Sequence, residues 1–371
     1  KNEHRVWFHC ASVGEFEQGR PLMEAYRKRW PKHKIVLTFF SPSGYELRKN
    51  YAGADYIFYL SLDTASNAKL FVSLVKPQLA VFVKYEFWYH HLKALQEQQI
   101  PALLISGVFR KRQLFFKWYG RPWRSVLHLF QHLFLQDDDS LQLLLSINIQ
   151  NASVAGDTRF DRVWQIAQHP KDLPIIKSFR GRNKLFVAGS TWPEDEKLLL
   201  ELIQLKTYPW KWILVPHELS EQHLATLSNK FKDEAIFYSS ATKENIAGKR
   251  ILIVDEMGLL SSIYSYSNMA YIGGGFGKGI HNILEAVVFG VPVLFGPKYQ
   301  KFNEAIALQI FGGAQSVSDS KELIAAFQHF NEQSFSFKTV NRNFVAMQKG
   351  ATEKIILHLE KINSGTAASR V

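Results

Sequence analysis

The sequence predicts an α/β protein with two doubly wound, Rossmann-like domains that face each other across a cleft. Short runs of β-branched and aromatic residues alternate with segments in which apolar residues recur every three or four positions. This alternation is typical of parallel sheets whose strands are joined by right-handed helical crossovers. With 371 residues, the chain is also too long for one ordinary hydrophobic core. The alternation stops once and then restarts, so two series of strands predict two sheets.

The interruption is segment 168–183, which is rich in proline and charge and is interpreted as a linker. It separates an N-terminal domain, residues 1–167, from a C-terminal domain, residues 184–340. A helical pattern occupies 341–371 and is expected to pack back on the N-terminal domain. Ligands of doubly wound sheets bind at the carboxyl ends of the strands. Functional residues are therefore expected in the loops that follow the strands.

Twelve strand candidates support this organisation, and Leu22, Tyr26 and Trp30 have the spacing of a helix after the first of them. The first series comprises residues 6–8, 35–39, 56–59, 79–83, 102–106 and 133–135. The second comprises residues 184–188, 212–215, 235–238, 251–254, 269–272 and 293–295.

Composition excludes several classes of protein. Hydrophobic residues make up 46% of the chain and charged residues 21%, which is typical of a globular protein. Cys10 is the only cysteine, so a disulfide framework and a cysteine metal cluster are excluded. No run of about 18 apolar residues predicts a membrane-spanning helix.

Positive charge is concentrated in the first half. Of the net charge of +12, residues 1–160 contribute +8, from 21 Lys and Arg against 13 Asp and Glu. Aromatic residues are interleaved with the basic residues between 110 and 124. Solvated helix faces explain part of this charge, and an anionic membrane surface explains the aromatic interleaving. No nucleic-acid motif accompanies the charge, so a membrane is favoured over a nucleic acid as the partner.

The segment 272–297, IGGGFGKGIHNILEAVVFGVPVLFGP, predicts a nucleotide site. A strand runs into a glycine loop that includes Gly274 and Gly275, and a helix is predicted to open at His281-Asn282. Glycines allow close backbone approach, and a helix start favours a phosphate. Glu285, in the first turn, is expected to hold a ribose diol.

Two carboxylates in the first half are candidates for acid–base chemistry. Glu15 follows the first strand within the loop His9–Glu15, where it is suited to take a proton from an acceptor hydroxyl. Ser12-x-x-Glu15 is equally a capping box, so a purely structural role stays open. Glu86 begins a predicted helix after another strand, and there a catalytic role and a helix-dipole role are balanced.

Three loops of the second half are expected beside the glycine loop. Thr191-x-x-Glu194 predicts a capped helix start, and whether Ser190 and Thr191 also donate to a phosphate stays open. Pro216-His217 and Met257-Gly258 end or follow later strands. By contrast, Asp137-Asp138-Asp139 is interpreted as a helix N-terminus rather than a metal site.

The order of these motifs resembles that of the Kdo (3-deoxy-D-manno-octulosonic acid) transferases of lipid A biosynthesis, which have the GT-B architecture. The resemblance extends over nearly the whole chain. Three departures are Lys84-Tyr85-Glu86, where many members have acidic residues flanking a threonine, the short loop Pro216-His217-Glu218, and a shorter glycine loop. The matching stretches are 7–15 (WFHCASVGE), 60–64 (LSLDT), 76–77 (KP), 85–88 (YEFW), 156–161 (GDTRFD), 188–191 (AGST), 257–258 (MG) and 279–285 (GIHNILE).

This resemblance implies transfer of Kdo from CMP-Kdo to a hydroxyl of a lipid A precursor, lipid IVA, at the cytoplasmic face of the inner membrane. It implies that Glu15 is the catalytic base and that Glu86 supports the acceptor pocket. The family's N-terminal membrane anchor is compatible with a sequence that begins at Lys1. For the CMP moiety it implies contacts with Pro216, Met257, Gly258, Asn282 and Glu285.

We expect the transfer to be inverting and to need neither a metal ion nor a cofactor. Rival hypotheses are a GT-B transferase or epimerase that uses a UDP-sugar, and a non-catalytic nucleotide- or lipid-binding module. On the donor side we also expect Ser190, Thr191, His217, Gly274, Gly275 and Lys298. On the acceptor or membrane side we expect Ser12, Gly14, Arg20, Arg110, Lys111 and Arg112.

Overall fold

The chain forms two compact units, each with its own sheet. The computed structural model describes residues 3–332 and 334–368. Unit 1 contains the chain up to Arg162 and again from Gln348 onward, whereas unit 2 contains Val163–Met347.

Unit 1 is a seven-stranded sheet in the order β3-β2-β1-β4-β5-β6-β7, and every strand pair is parallel. The strands are β1 Arg5–His9, β2 Lys34–Phe39, β3 Tyr56–Tyr59, β4 Leu79–Val83, β5 Ala102–Gly107, β6 His132–Leu135 and β7 Ala152–Val154. The helices are α1 Val13–Arg29, α2 Pro42–Arg48, α3 Ala65–Val75, α4 Tyr89–Glu97, α5 Arg121–Arg124, α6 Asp138–Leu145 and the first part of α7 Thr158–Gln168.

The sheet of unit 1 is buried on both faces. Trp7 and Phe82 belong to the core on one face, while Val6, Phe8 and Val81 belong to the core on the other. Successive side chains of a strand point to opposite faces, so these strands require helices on both sides. This explains why the strands are continuous apolar runs in the sequence.

Unit 2 repeats the architecture with one change of order, β10-β11-β9-β8-β12-β13-β14, again with parallel pairs throughout. Its strands are β8 Leu185–Thr191, β9 Lys211–Pro216, β10 Ala235–Phe237, β11 Ile251–Ile253, β12 Met269–Ile272, β13 Val293–Phe295 and β14 Ala314–Ser316. Its helices are α8 Pro174–Arg180, α9 Pro193–Gln204, α10 Glu221–Asn229, α11 Leu260–Ile263, α12 Leu284–Val287, α13 Asn303–Ile310, α14 Ser320–Glu332 and α15 Ser334–Gln348. The last helix of the chain, α16 Ala351–Ala368, belongs to unit 1.

All twelve predicted strands are present, and the prediction of an α/β fold is confirmed. The prediction missed β7 and β14, which have three residues each and lie at the edge of their sheets. Their sequences, ASV and AQS, have a polar residue at the centre and no apolar run, whereas the three-residue edge strand β10, AIF, is apolar throughout and was predicted.

The segment interpreted as a linker is structured. Helix α8 lies inside it, and Ile176 and Phe179 are buried. Its backbone is also held by side chains of unit 2, since Lys171 N donates to Ser262 and Leu173 N donates to Tyr266. The passage between units falls earlier, at Arg162 and Val163 within α7.

The C-terminal pattern predicted as one helical tail is two helices, separated at Gly350. This residue has a φ of +114°, a conformation that ends a helix and suits glycine. Asn341 in α15 donates to Val291 and Gly313 of unit 2. Asp161 accepts hydrogen bonds from the backbone N–H groups of Gly350 and Thr352, which fixes the start of α16 in unit 1. The predicted tail therefore divides between the units.

Within the described residues, no helix has the length and apolar character needed to cross a membrane.

Candidate functional site

The carboxyl edge of the unit 1 sheet gathers most of the predicted acceptor-side residues. Because every strand is parallel, the loops after β1, β4 and β5 leave the sheet at the same edge. Glu15 follows β1, Glu86 follows β4, and Arg110 follows β5.

Glu15 lies in the first turn of α1 and is partly exposed. Ser12 is the N-cap, and its Oγ accepts a hydrogen bond of 3.2 Å from Gly14 N. The same hydroxyl donates to the Glu15 carboxylate. The expected capping interaction is therefore present in a modified form, with side chain bonded to side chain. Ser12 both caps the helix and orients the carboxylate.

Glu86 is held by a chain of buried groups that starts at Trp7. Trp7 Nε1 donates to Thr38 Oγ1 at 2.8 Å, and Thr38 Oγ1 lies 2.9 Å from His9 Nδ1. His9 Nε2 lies 3.2 Å from Glu86 Oε2, which also accepts from Trp88 Nε1 at 2.5 Å. If Thr38 donates to Nδ1, His9 carries its proton on Nε2 and donates to Glu86.

His9 is fully buried, and burial lowers its pKa more than the neighbouring Glu86 carboxylate raises it. A neutral imidazole in this position fixes the Glu86 carboxylate without neutralising it. No local pattern connects His9, Thr38 and Glu86, because they lie on three separate strands or strand ends.

Cations surround these carboxylates. Arg159 is paired with Asp157, with its Nε at 2.8 Å and its Nη2 at 2.7 Å from Asp157 Oδ2. Lys84 follows β4 directly, is partly buried, and has a φ of +73°. Burial is the main cause of its lowered pKa, and the charges of Arg159 and Arg110 lower it further.

The other residues predicted on the acceptor side are either paired within the protein or exposed. Arg20 lies along α1, and its Nε donates to Glu24 at 2.7 Å, so its charge is partnered on the helix face. Lys111 and Arg112 are exposed after Arg110. Trp118, farther along this basic and aromatic segment, is 92% exposed.

In unit 2, the glycine loop is determined by close backbone packing. A Cβ on Gly273 would lie 2.1 Å from Ser190 O, and a Cβ on Gly275 would lie 2.5 Å from Gly296 Cα. Gly274 has a φ of +92°. The loop therefore needs glycine to fit between the ends of β8 and β13, whatever ligand it binds.

Asp195 joins this loop to the start of α9. Its carboxylate accepts hydrogen bonds from Gly274 N at 2.9 Å, Trp192 N at 2.9 Å and the Tyr271 hydroxyl at 2.8 Å. Burial raises its pKa even though these donors favour the charged form. Asp195, and not Glu194, is the acidic member of the cap. The capping-box pattern would have indicated Asp195 if Trp192, and not Thr191, had been taken as the N-cap.

Ser190 and Thr191 have different environments. Ser190 is partly exposed with a φ of +54°. Thr191 is buried, and its hydroxyl donates to Glu196 at 3.1 Å, while Glu196 also contacts His223 Nε2 at 3.0 Å. Ser190 is thus the more accessible of the two predicted phosphate donors.

Three rings lie together at this edge of the sheet. Trp192 and His217 are stacked with centroids 4.7 Å apart, and His217 lies 4.5 Å from His281. Trp192 Nε1 donates to His281 Nε2 at 3.3 Å. Burial, followed by the charge of His217, lowers the pKa of His281 to about 4. His281 is therefore neutral near pH 7.

The remaining predicted donor residues lie in loops at the same edge. Helix α12 begins at Leu284, later than predicted, and Glu285 is in its first turn. Asn282 precedes it, accepting from Leu284 N and donating to Glu285 at 3.2 Å in both cases. With only four residues, α12 has a smaller dipole than the predicted helix.

Pro216, Met257, Gly258 and Lys298 occupy three further loops or strand ends. Pro216 ends β9 and is buried, whereas Met257 is 80% exposed beside Gly258, whose φ is +79°. Lys298 is exposed, and its Nζ donates to Phe276 O at 2.9 Å, which braces the glycine loop.

Asp137 caps α6 by accepting from Ser140 N at 2.8 Å, as its interpretation as a helix start requires. In the part of the chain that the structure describes, no group of three or more His, Cys, Asp or Glu side chains is arranged to hold a metal ion.

Comparison with known proteins identifies the family. The family model for 3-deoxy-D-manno-octulosonic-acid transferase (kdotransferase) matches residues 1–162. A transferase of the same name from Chlamydia muridarum is 30% identical over 79% of this chain and 70% of its own length. The protein of that name from Chlamydophila psittaci is 28% identical over 96% of this chain and 82% of its own length.

Solved structures agree on the fold. The UDP-GlcNAc 2-epimerase from Neisseria meningitidis has a TM-score of 0.68 and 18% identity, over 96% of this chain and 100% of that one. A glycosyltransferase from Rickettsia africae has a TM-score of 0.61 and 12% identity, over 98% and 99%. At these identities the likeness concerns the fold, which is the two-domain GT-B architecture. The identity to the named transferases goes further: the chain belongs to the family of 3-deoxy-D-manno-octulosonic acid transferases and is a Kdo glycosyltransferase.

Proposed function

We propose that the protein transfers Kdo from CMP-Kdo to a hydroxyl group of a lipid A precursor, lipid IVA, with inversion at the anomeric carbon. The observation that carries this proposal is the Glu15 carboxylate. It is partly exposed at the carboxyl edge of the unit 1 sheet and is oriented by the Ser12 hydroxyl. A general base needs this combination of access and fixed orientation.

Glu15 takes the proton of the acceptor hydroxyl as that oxygen attacks the anomeric carbon of Kdo. The bond between this carbon and the phosphate oxygen of CMP breaks, and its electron pair leaves with CMP. Glu86, held by His9 and Trp88, supports the acceptor. The mechanism gives no role to a metal ion, so addition of EDTA should leave turnover unchanged.

The donor is assigned to unit 2. Ser190 and Asn282 are the proposed phosphate contacts, and Glu285, bonded to Asn282, is the proposed ribose contact. Pro216, His217 and Met257 are proposed to lie against the base. Support comes from their position in loops at the carboxyl edge of one parallel sheet, where such sheets bind nucleotides.

The acceptor is a lipid, and the segment 110–124 is proposed to contact an anionic membrane at the cytoplasmic face of the inner membrane. Trp118 is exposed among basic residues, a combination suited to a headgroup layer. Binding to vesicles containing phosphatidylglycerol should exceed binding to pure phosphatidylcholine, and Trp118→Ala should weaken it. Equal binding to both vesicle types would contradict this assignment.

Mass spectrometry of products from CMP-Kdo and lipid IVA tests the proposal directly. The expected result is lipid IVA with added Kdo and an equal amount of CMP, which also gives the number of Kdo units transferred. Calorimetry separates the rival donor class, because tight UDP binding without CMP binding would contradict the choice of CMP-Kdo. Liposome binding without release of CMP would indicate a non-catalytic module.

A further inference from the structure

Lys84 and Arg110 are two cations that follow neighbouring strands at the edge of the sheet that carries the proposed base. Among the residues that the structure describes, neither the Lys84 ammonium nor the Arg110 guanidinium makes an ion pair or a side-chain hydrogen bond. Both side chains are partly buried. None of their nitrogens is among the buried, unpartnered atoms of the described residues, so these nitrogens reach solvent and are accessible to a ligand.

The neighbouring carboxylates are engaged elsewhere. Glu15 is bonded to Ser12, Glu86 to His9 and Trp88, and Asp157 to Arg159. Glu15 and Asp157 lie near enough to favour the charged form of Lys84, while Arg159 and Arg110 oppose it. The Lys84 ammonium lies over the Tyr85 ring, 5.4 Å from its centre, which is a cation–π contact and leaves its N–H groups without a hydrogen-bond acceptor.

The backbone at Lys84 is held in an unfavourable conformation. Its φ of +73° is in the left-handed region, and Ser106 at the neighbouring strand end has a φ of +54°. The two turns are joined, since Lys84 N donates to Ile105 O at 2.8 Å. A non-glycine residue in this region is strained, and such strain is found mainly where function needs the residue.

We propose that Lys84 and Arg110 form an anion subsite that binds a phosphate monoester or carboxylate of the acceptor saccharide next to its reacting hydroxyl. This inference rests on the proposed function for the identity of the acceptor. The anionic group accepts charge-assisted hydrogen bonds from both side chains and satisfies donors that the protein leaves open. It also holds the acceptor at a second point in both the ground state and the transition state, so loss of the subsite raises KM and leaves kcat nearly unchanged. Lys84 and Arg110 are substrate-binding residues in this scheme.

The test compares Lys84→Met, Arg110→Gln and the double variant on lipid IVA with and without its phosphates. With lipid IVA, each single variant should raise KM by roughly 10-fold or more, the value expected for one charge-assisted hydrogen bond, with kcat within about 3-fold of wild type. With lipid IVA treated with phosphatase, wild type should show the same raised KM, and the variants should add nothing. Lys93→Met, at an exposed lysine on α4, is the matched control.

A second variant removes the possibility that misfolding produces the effect. Lys84→Gly removes the cation and relieves the left-handed strain, so it should melt no lower than wild type and still raise KM. Lys84→Arg should restore most of the affinity. An unchanged KM in the folded double variant overturns the subsite while transfer itself continues, so the proposed function would survive.

The same KM values distinguish a phosphate ligand from a carboxylate ligand. If removal of phosphate leaves KM unchanged, but the variants raise KM for an acceptor that already carries one Kdo, the ligand is the Kdo carboxylate. If wild type transfers no Kdo, the proposed function fails separately. Titration with inorganic pyrophosphate then tests the subsite alone: wild type should be stabilised against heat and the double variant should not, and equal shifts would overturn it.

Discussion

The two units share an architecture but build their candidate sites from different materials. In unit 1 the site consists of side chains, with Glu15 oriented by Ser12 and Glu86 by His9 and Trp88. In unit 2 it consists largely of backbone, because the glycine loop is packed against the ends of β8 and β13 and tied down by Asp195. Substitutions should therefore affect chemistry in unit 1 and structure in unit 2.

The units also differ in how completely their polar groups are satisfied. In unit 2, Asp195 and Glu196 accept hydrogen bonds from several groups of the same unit. In unit 1, Lys84 and Arg110 have no protein acceptor among the described residues. A fully satisfied network stabilises a fold, whereas open donors are available to a substrate.

The largest effect is expected at Glu15. Glu15→Gln keeps the size of the side chain and an acceptor for Ser12, but removes the base, so kcat should fall by about 10²–10⁴-fold. The melting temperature should stay close to that of wild type. Initial rates of CMP release measure the effect, with Glu46→Gln, at an exposed pair with Lys49, as the control. Turnover near wild type would remove Glu15 as the base.

The next effect is expected in the glycine loop. A Cβ on Gly273 would overlap the Ser190 carbonyl oxygen at 2.1 Å, whereas a Cβ on Gly277 would meet only Gly274 O at 3.6 Å. Gly273→Ala should lower the free energy of unfolding by about 3 kcal/mol, because backbone must move. Gly277→Ala is the matched control, and urea unfolding compares them. Equal stability of the two variants would contradict a loop determined by packing.

A smaller effect is expected where α16 begins. Asp161→Ala removes the acceptor for Gly350 N, Thr352 N and the Thr352 hydroxyl, and should cost about 1–2 kcal/mol of stability. Asp319, which accepts from Glu322 N in unit 2, gives the matched variant Asp319→Ala. Limited proteolysis should release α16 in the first variant only. Equal protection of α16 in both would show that Asp161 does not hold it.

A further effect concerns pH. Burial, followed by the charge of His358, lowers the pKa of His132 in unit 1 to about 4, and His281 in unit 2 has a similar value. In the unfolded chain both titrate near 6.5, so the unfolded state binds more protons between these values. The free energy of unfolding is therefore undiminished by these two histidines above about pH 6.5, and it decreases as the pH falls towards 4.

Melting temperatures measured between pH 7.5 and 4.5 test this dependence. His132→Gln, which keeps a partner for Ser153, should flatten the dependence relative to wild type. His33→Gln offers a comparison at a residue whose pKa is also lowered by burial. Parallel curves for wild type and His132→Gln would mean that His132 does not contribute.

Much of the fold could be predicted because it depends on local pattern. The twelve longer or more apolar strands have continuous runs of apolar residues, which sheets buried on both faces require. The edge strands β7 and β14 were missed because ASV and AQS lack an apolar run, and pairing with a neighbouring strand defines them. The break has a local signal in Gly350, which the prediction of one helical tail did not use, whereas the bond from Gly350 N to Asp161, 189 positions earlier, is visible only in the structure.

The candidate site shows the same difference between what local sequence pattern predicts and what contacts between distant residues determine. By itself, the sequence determined the α/β class, the positions of the loops that carry Glu15, Glu86 and Glu285, and the family resemblance, because each is encoded in contiguous residues. Only the tertiary structure decided that His9 and Thr38 hold Glu86, that Asp195 fixes the glycine loop, and that Lys84 and Arg110 make no ion pair with the described residues. Hydrogen bonds and burial arise between residues far apart in sequence, and their presence or absence exists only once the strands have been brought side by side.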